Sequence, residues 1–231
     1  MSATGERSWN SIFVYDTTGG LSDSPPQVQN ITGHPTVHGL VWDDQEKILW
    51  AAGTDAAADG SDHEPANATL KGYRFDTNSK RLLVDEAQTH KLPPVKLQDE
   101  WGNDYPWWSG PHDLIGIPGE RKLLMTTDRD LHVFDLTARQ FQESGADVVR
   151  KYLPGFVAVD NDRGNLSRSD VKSVSLAPNG SFVYVQSLWK KVLGNETNLV
   201  VGAQKNPLLP GKEIYRSRFF ADIPGWPKPR S

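Results

Sequence analysis

The sequence predicts an all-β protein, a β-propeller present as an open arc of about three to four four-stranded blades. Three observations favour this fold. Prolines and glycines divide the chain into short segments, and these segments are rich in β-branched and aromatic residues. The same order of segments also repeats along the chain. With 16 prolines and 20 glycines in 231 residues, no stretch between breakers offers a long apolar face of helical period.

Three consecutive units share the same order of strand-like segments, termed a, b, c and d. Segment a begins at His38, His112 and Lys172, and each unit continues with short apolar runs that are typical of strands. The turns between a and b have good hairpin chemistry, and they contain Asp43-Asp44, Pro118-Gly119 and Asn179-Gly180. The units begin further apart than the roughly 40–50 residues of ordinary blades, because polar insertions lie between the segments.

Segment c is an apolar-aromatic stretch that ends in Asp, at 73–76 and 132–135, and an earlier copy occurs at 12–16. In the second unit, segment d is predicted at 148–152. In the third unit, segment c is predicted at 213–218 and no d is found. The predicted organisation is one propeller domain or fragment over 1–231, with a partial blade 10–32, a blade 38–90, a blade 112–157, a partial blade 171–221 and a proline-rich tail 222–231.

A propeller is favoured over a sandwich because a four-stranded unit cannot bury both of its faces unless it stacks on the next copy. A β-sandwich or another Greek-key fold is the alternative. The chain starts near a c segment and ends near another, so the N-terminal end is interpreted as incomplete. We expect such an arc to be marginally soluble alone, as a fragment that lacks N-terminal blades or as half of a homodimer.

Composition excludes several classes of function. The net charge is −4, the pI is about 5.9 and no basic tract occurs, so no nucleic-acid partner is expected. The apolar runs are shorter than the roughly 20 residues that cross a bilayer, so no membrane partner is expected. The absence of cysteine rules out disulfides and thiolate chemistry.

Five Asn-x-Ser/Thr sequons favour a secreted glycoprotein, and they begin at Asn30, Asn67, Asn165, Asn179 and Asn195. Residues 1–10 contain no apolar signal-peptide core. The protein is therefore expected to be extracellular if its N-terminus is incomplete, and cytoplasmic otherwise. The alternative is that these asparagines are ordinary turn residues.

Three motifs together resemble a known group of proteins. They are His-Gly-Leu-Val-Trp-Asp from His38, Gly-Pro-His-Asp-Leu from Gly110 and Val-Lys-Ser-Val from Val171. The combination is similar to an uncharacterised family of bacterial and fungal β-propellers with six blades, over about residues 10–220. The resemblance implies one or two earlier blades. It implies no particular activity and no cofactor.

His38, His112 and Lys172 occupy equivalent places at the start of segment a, which lines the central channel of a propeller. They are therefore predicted to converge near one mouth of the channel, where they could bind an anion, hold a metal or transfer protons. Two histidines do not complete a transition-metal site, and Lys172 opposes a divalent cation, so an anionic small molecule is favoured and no metal is predicted. The alternative is that the histidines only fix the stacking of blades.

An aromatic loop precedes His112 and is predicted to stack on sugar rings; its aromatic residues are Trp101, Tyr105, Trp107 and Trp108. The alternative is that these rings fill the gap between two blades. Asp113 is predicted as a further ligand-binding residue or a turn former. The stretch Asp160–Asn165 is predicted to be a solvated turn rather than a calcium loop, because it lacks the expected ligands.

The predicted function is a propeller scaffold that binds a small polar or anionic ligand, a saccharide, at the channel mouth. Two alternatives stand beside it. One is a carbohydrate-active enzyme of the polysaccharide-lyase type, in which a histidine abstracts a proton while Lys172 or Arg129 balances the developing charge. The other is a propeller that binds protein partners through its surface loops.

Overall fold

The predicted fold class is confirmed by a computed structural model of the chain. The structure describes residues 12–20, 24–55, 66–92, 108–142, 144–160, 163, 166–188, 194, 196–202 and 204–219. These residues form antiparallel β-sheets of the propeller-blade type and one short α-helix. The chain divides into two compact units, residues 1–114 and 115–231. Among the described residues, no helix has the length and hydropathy that a membrane span requires.

The first unit contains a two-stranded sheet and a four-stranded sheet in which consecutive strands pair. The strands of the two-stranded sheet are β1 (Ile12–Tyr15) and β2 (Gln27–Ile31). Those of the four-stranded sheet are β3 (Gly39–Asp43), β4 (Ile48–Thr54), β5 (Ala66–Asp76) and β6 (Arg81–Lys91). A short strand, β7 (Trp108–Ser109), pairs in parallel with the beginning of β5.

The rest of the chain contributes two further four-stranded antiparallel sheets, again with consecutive strands as neighbours. One consists of β8 (Pro111–Gly116), β9 (Lys122–Thr127), β10 (Leu131–Asp135) and β11 (Gln140–Gln142). The other consists of β12 (Val171–Leu176), β13 (Phe182–Gln186), β14 (Thr197–Val201) and β15 (Gln204–Leu208). Helix α1 (Gly145–Tyr152) lies between them in the sequence.

The repeated Asp that ends several strands is a turn former. Asp76 and Asp135 accept backbone N–H groups two and three residues further on, and Asp43 does the same. Four residues after each Asp comes a residue with positive φ, at Lys47 (57°), Lys80 (57°) and Arg139 (56°). The same spacing joins Asp16 to Gly20, whose φ is 94°. A side chain that caps its own turn in this way explains why the motif recurs.

Two predicted strands are wrong. Residues 148–152, predicted as the fourth strand of the second sequence repeat, belong to α1. The fourth strand of that repeat is β11 instead. The helix forms because Ser144 accepts the N–H of Asp147 as an N-cap, while Arg150 and Lys151 lie near the C-terminal end of the helix dipole.

The third sequence repeat, which begins at Lys172, forms a complete blade and not the partial one that was predicted. Its third and fourth strands are β14 and β15, whereas residues 213–218 are not a strand. That later segment lies along β12, where the N–H groups of Ser217 and Phe219 donate to the hydroxyls of Ser173 and Ser175. β15 was missed because its sequence, Gln-Lys-Asn-Pro-Leu, has few strand-forming residues, and its proline is tolerated because it is an outermost strand.

Each of the two compact units, residues 1–114 and 115–231, has its own apolar core. The core of the first unit is formed mainly by β1, β2, β4, β5 and β6, with Ile12, Ile31, Leu49, Ala51, Tyr73 and Leu82 buried together. In the second unit, side chains of β9 and β10 pack with those of β12, β13 and β14, and Val148 of α1 joins them. The alternation of side chains along each strand directs these residues to one face.

Two histidines, the buried His34 and the half-buried His132, are uncharged near neutral pH. His34 accepts or donates hydrogen bonds with the hydroxyls of Thr69 (3.0 Å) and Tyr73 (3.2 Å), and burial lowers its pKa to about 3. Burial also lowers the pKa of His132 to about 4. In the unfolded chain both imidazoles titrate near pH 6.5, so below that pH the unfolded state binds protons that the folded state does not.

We therefore expect the protein to lose stability as the pH falls from 6 to 5, by up to about 1.4 kcal/mol per pH unit for each of the two histidines. Urea denaturation at several pH values measures this slope. A His132→Leu variant should show a shallower slope than the wild type, because one of the two groups no longer titrates. A slope that is the same in both proteins would contradict the assignment to His132.

Candidate functional site

In the first unit, the segment between β2 and β3 places His38 at the start of β3. The N–H of His38 donates to the carbonyl of Ala52 (3.0 Å), and the N–H of Thr54 donates to the carbonyl of Pro35 (2.9 Å). Ala52 and Thr54 are both residues of β4. The backbone on either side of His38 is therefore fixed by the neighbouring strand.

The imidazole of His38 has a defined hydrogen-bond partner. Its Nδ1 lies 2.8 Å from the carbonyl oxygen of Thr36. A carbonyl can only accept, so Nδ1 is the nitrogen that donates, and in the neutral ring Nε2 has the lone pair. The residue is half-buried. His38 can thus accept a hydrogen bond or a proton at Nε2.

His112 lies beside His38, as the equivalence of the two positions predicts. The ring centroids are 6.4 Å apart and the ring planes cross at 89°, an edge-to-face arrangement. The strands that hold the two rings come very close together, because a Cβ on Gly39 would lie 2.5 Å from Cβ of Leu114. Only glycine fits at this point of β3. The proximity is present in the structure, and a catalytic or binding role for the two rings stays a prediction.

The remaining candidates from the sequence have the following places in the fold. Asp113 is buried, and its Oδ1 accepts the N–H of Leu114 (3.0 Å), a contact within its own strand. Trp108 is in β7, while Trp101, Tyr105 and Trp107 lie outside the described residues. Arg129 lies in the turn between β9 and β10 of the second unit, where its N–H donates to the hydroxyl of Thr127 (3.3 Å).

Lys172 is buried in the second unit and is compensated by a carboxylate. Its Nζ lies 3.2 Å from Oδ1 of Asp170, while Oδ2 of the same carboxylate lies 3.4 Å from Nη1 of Arg163. A carboxylate oxygen of Asp128, also buried, lies within 4.8 Å of one of Asp170. The positive charge of the ammonium is therefore compensated by a carboxylate.

Arg163 is a buried, ion-paired residue that the sequence does not reveal, because it lies in the stretch predicted to be a solvated turn. It is 3% exposed. Its guanidinium binds both carboxylate oxygens of Asp160 (2.9 and 3.2 Å), the carbonyl and hydroxyl of Ser169 (3.1 and 3.0 Å), and the carbonyl of Ser187. The signal in the sequence was an Asp three residues before an Arg, since opposite charges this near in the chain can pair across a turn.

Asp170 has a backbone conformation that is uncommon among residues other than glycine. Its φ is 55°, its N–H donates to the carbonyl of Asp128 (3.1 Å), and its carbonyl accepts the N–H of Ser187 (3.0 Å). Positive φ is tolerated best by Asn, Asp and Gly. Two carboxylates are fewer than the about six to eight oxygen ligands that Ca²⁺ takes, so Asp128 and Asp170 do not by themselves complete a calcium site.

The described sequons differ in how accessible their asparagines are. Asn30 is exposed on β2, and Asn179 is exposed at the tip of the β12–β13 hairpin. Asn67 instead donates from Nδ2 to Oδ2 of Asp55 (3.2 Å) and is half-buried. Asn165 and Asn195 lie outside the described residues. Glycosylation and secretion stay predictions.

No protein-family model matches this sequence, and no curated protein matches it either. Several solved structures are similar in fold. A chain of the COPII outer coat vertex on membranes is 10% identical, with a TM-score of 0.46 over 86% of this chain and 42% of that one. A protein of unknown function from Desulfotomaculum acetoxidans is 10% identical, with a TM-score of 0.44 over 91% and 52% of the two chains.

The periplasmic gluconolactonase PpgL of Pseudomonas aeruginosa is 15% identical, with a TM-score of 0.39 over 88% of this chain and 64% of that one. This chain therefore spans less than two thirds of the length of each of these three proteins. Similarity at this level gives no information about ligand or activity.

Proposed function

We propose that this chain is a propeller scaffold that binds a small, uncharged, hydroxyl-rich ligand, a saccharide, at His38 and His112. The observation that supports the proposal is the edge-to-face pair of imidazoles, whose ring centroids are 6.4 Å apart near the start of β3 and of β8. Histidines that only fix the stacking of blades would not require that one ring be held in a defined tautomer. His38 has that constraint through the carbonyl of Thr36.

The chemistry of the pair suits a hydroxyl group. A sugar hydroxyl both donates and accepts, and Nε2 of neutral His38 accepts, while an imidazole can do either according to its tautomer. The flat faces of the rings can cover the apolar C–H side of a pyranose. A neutral ligand is preferred to an anion because the buried ammonium of Lys172 is already compensated by Asp170.

The test is calorimetric binding of a panel of neutral mono- and disaccharides to the wild type and to His38→Gln and His112→Gln. Loss of one hydrogen bond is expected to weaken binding about tenfold in each variant. His90→Gln, on the outermost strand β6 of the first unit, is the matched control and should bind like the wild type. The proposal fails if no saccharide binds the wild type, or if both site variants bind it unchanged.

An enzyme of the lyase type is a second candidate, favoured by one specific contact. A histidine whose Nδ1 donates to a backbone carbonyl presents Nε2 as an oriented base, and His38 has this arrangement. Incubation with uronate-containing oligosaccharides, followed by the ultraviolet absorbance of an unsaturated product, separates this candidate from binding alone. Product formation that His38→Gln abolishes would favour the enzyme.

A further inference from the structure

The segment before His38 contains a residue whose backbone conformation must be held in place. Thr36 has a φ of 47°, in the left-handed region that β-branched residues rarely adopt. Such a conformation persists only where the surrounding structure fixes it. Because the carbonyl of Thr36 accepts the Nδ1–H of His38, whatever fixes Thr36 also fixes the imidazole.

Thr54, the last residue of β4, makes the contacts that hold this segment. Its side chain is fully buried. Its hydroxyl lies 2.7 Å from the hydroxyl of Thr36 and 3.4 Å from the carbonyl of Pro35, and its N–H donates to that same carbonyl (2.9 Å). With the hydroxyl of Thr54 donating to Pro35, the hydroxyl of Thr36 is the donor in the bond between the two threonines.

We infer that Thr54 is a positioning residue for His38. Its hydroxyl and N–H hold Pro35 and Thr36 in place, and the carbonyl of Thr36 then accepts a hydrogen bond from Nδ1–H of His38. In the neutral ring Nε2 is then the accepting nitrogen. The importance of this for binding rests on the proposed function, whereas the effect on the tautomer does not. Thr54 acts through Thr36 and does not itself contact a ligand.

The test compares Thr54→Val, which removes the hydroxyl at nearly constant volume, with Thr54→Ser, which keeps it. The readout is the ¹⁵N spectrum of the histidine side chains, in which protonated and unprotonated ring nitrogens have distinct shifts. The wild type and Thr54→Ser should show His38 protonated at Nδ1 and unprotonated at Nε2. Thr54→Val should show a mixture of the two tautomers and about a tenfold loss of saccharide affinity.

Thr69→Val is the matched control. Thr69 is also a buried threonine of the first unit, and its hydroxyl binds Nε2 of His34 (3.0 Å) instead of the segment around His38. This variant should lose stability but leave the spectrum of His38 unchanged. Thr36→Val, at a half-buried position, repeats the test if Thr54→Val does not fold.

The outcomes separate the two proposals. If Thr54→Val and Thr36→Val keep the wild-type spectrum of His38, the positioning role is wrong even where a saccharide binds. If the spectrum changes in both variants but no saccharide binds the wild type, the positioning role stands and the proposed function fails.

Discussion

Arg163→Met is expected to lower the free energy of unfolding by about 3–5 kcal/mol, because it removes the buried guanidinium that pairs with Asp160 and with the buried Asp170. The guanidinium is almost fully enclosed and satisfies Asp160 through two parallel hydrogen bonds, Asp170 through one, and the carbonyls of Ser169 and Ser187. Methionine fills much of the same space but offers no donor. The loss is therefore electrostatic and not a matter of volume.

Arg150→Met is the matched control for this substitution. Arg150 pairs with Asp147 on the exposed face of α1, and pairs of this kind contribute about 0–1 kcal/mol. Arg163→Lys adds a further comparison, because it keeps the charge but cannot bind two oxygens of Asp160 in parallel, and it should fall between wild type and Arg163→Met. Equal urea midpoints for Arg163→Met and Arg150→Met would show that the Arg163 cluster does not stabilise the fold.

The parts of the fold that the sequence predicts correctly are those with a local physical cause. The repeated Asp caps its own turn within three residues, so the end of segment c is visible in the sequence wherever the motif occurs. Strands β4 and β9 contain apolar residues with burial on both faces, which makes them continuous hydrophobic runs.

The errors fall where local signals compete or are weak. Residues 148–152 have the β-branched Val148 and Val149, yet the N-cap at Ser144 and the charges at both ends favour a helix. The strand β15 has a proline and two polar residues, so nothing in its composition distinguishes it from a loop. In both cases the missed strand, β11 or β15, is the fourth and outermost strand of its sheet. Fewer side chains of an edge strand are buried, so the alternation of apolar and polar residues in its sequence is weaker.

The candidate site shows the same division. The proximity of His38 and His112 follows from their equivalent places in successive repeats, and a repeat can be found without knowing any contact. Arg163 could not be found in this way, because its partner Ser187 is 24 residues away and polar loops are usually solvated. Thr54 was missed for a similar reason, since a threonine at the end of a buried strand is ordinary and its partner Thr36 is 18 residues earlier.

Gly53→Ala tests whether the segment before His38 depends on the close approach of β4. A Cβ at this position would lie 2.6 Å from the carbonyl oxygen of Pro35 and 2.6 Å from Nε2 of His34. Neither group can rotate away, because the first is backbone and the second is bound to Thr69. The segment must therefore shift, and overpacking of this kind costs about 1–3 kcal/mol, of which we expect the upper part.

The shift should also reach the site, because Pro35 is the residue that Thr54 holds. Gly53→Ala is thus expected to lower the melting temperature and to disturb the tautomer of His38 in the ¹⁵N spectrum together. Gly19→Ala is the matched control in the same unit, since a Cβ there meets no atom within 4 Å, and it should change neither measurement. If Gly53→Ala is as stable as Gly19→Ala and leaves the spectrum of His38 unchanged, residues 34–35 accommodate the added methyl group, and the segment before His38 does not depend on the close approach of β4.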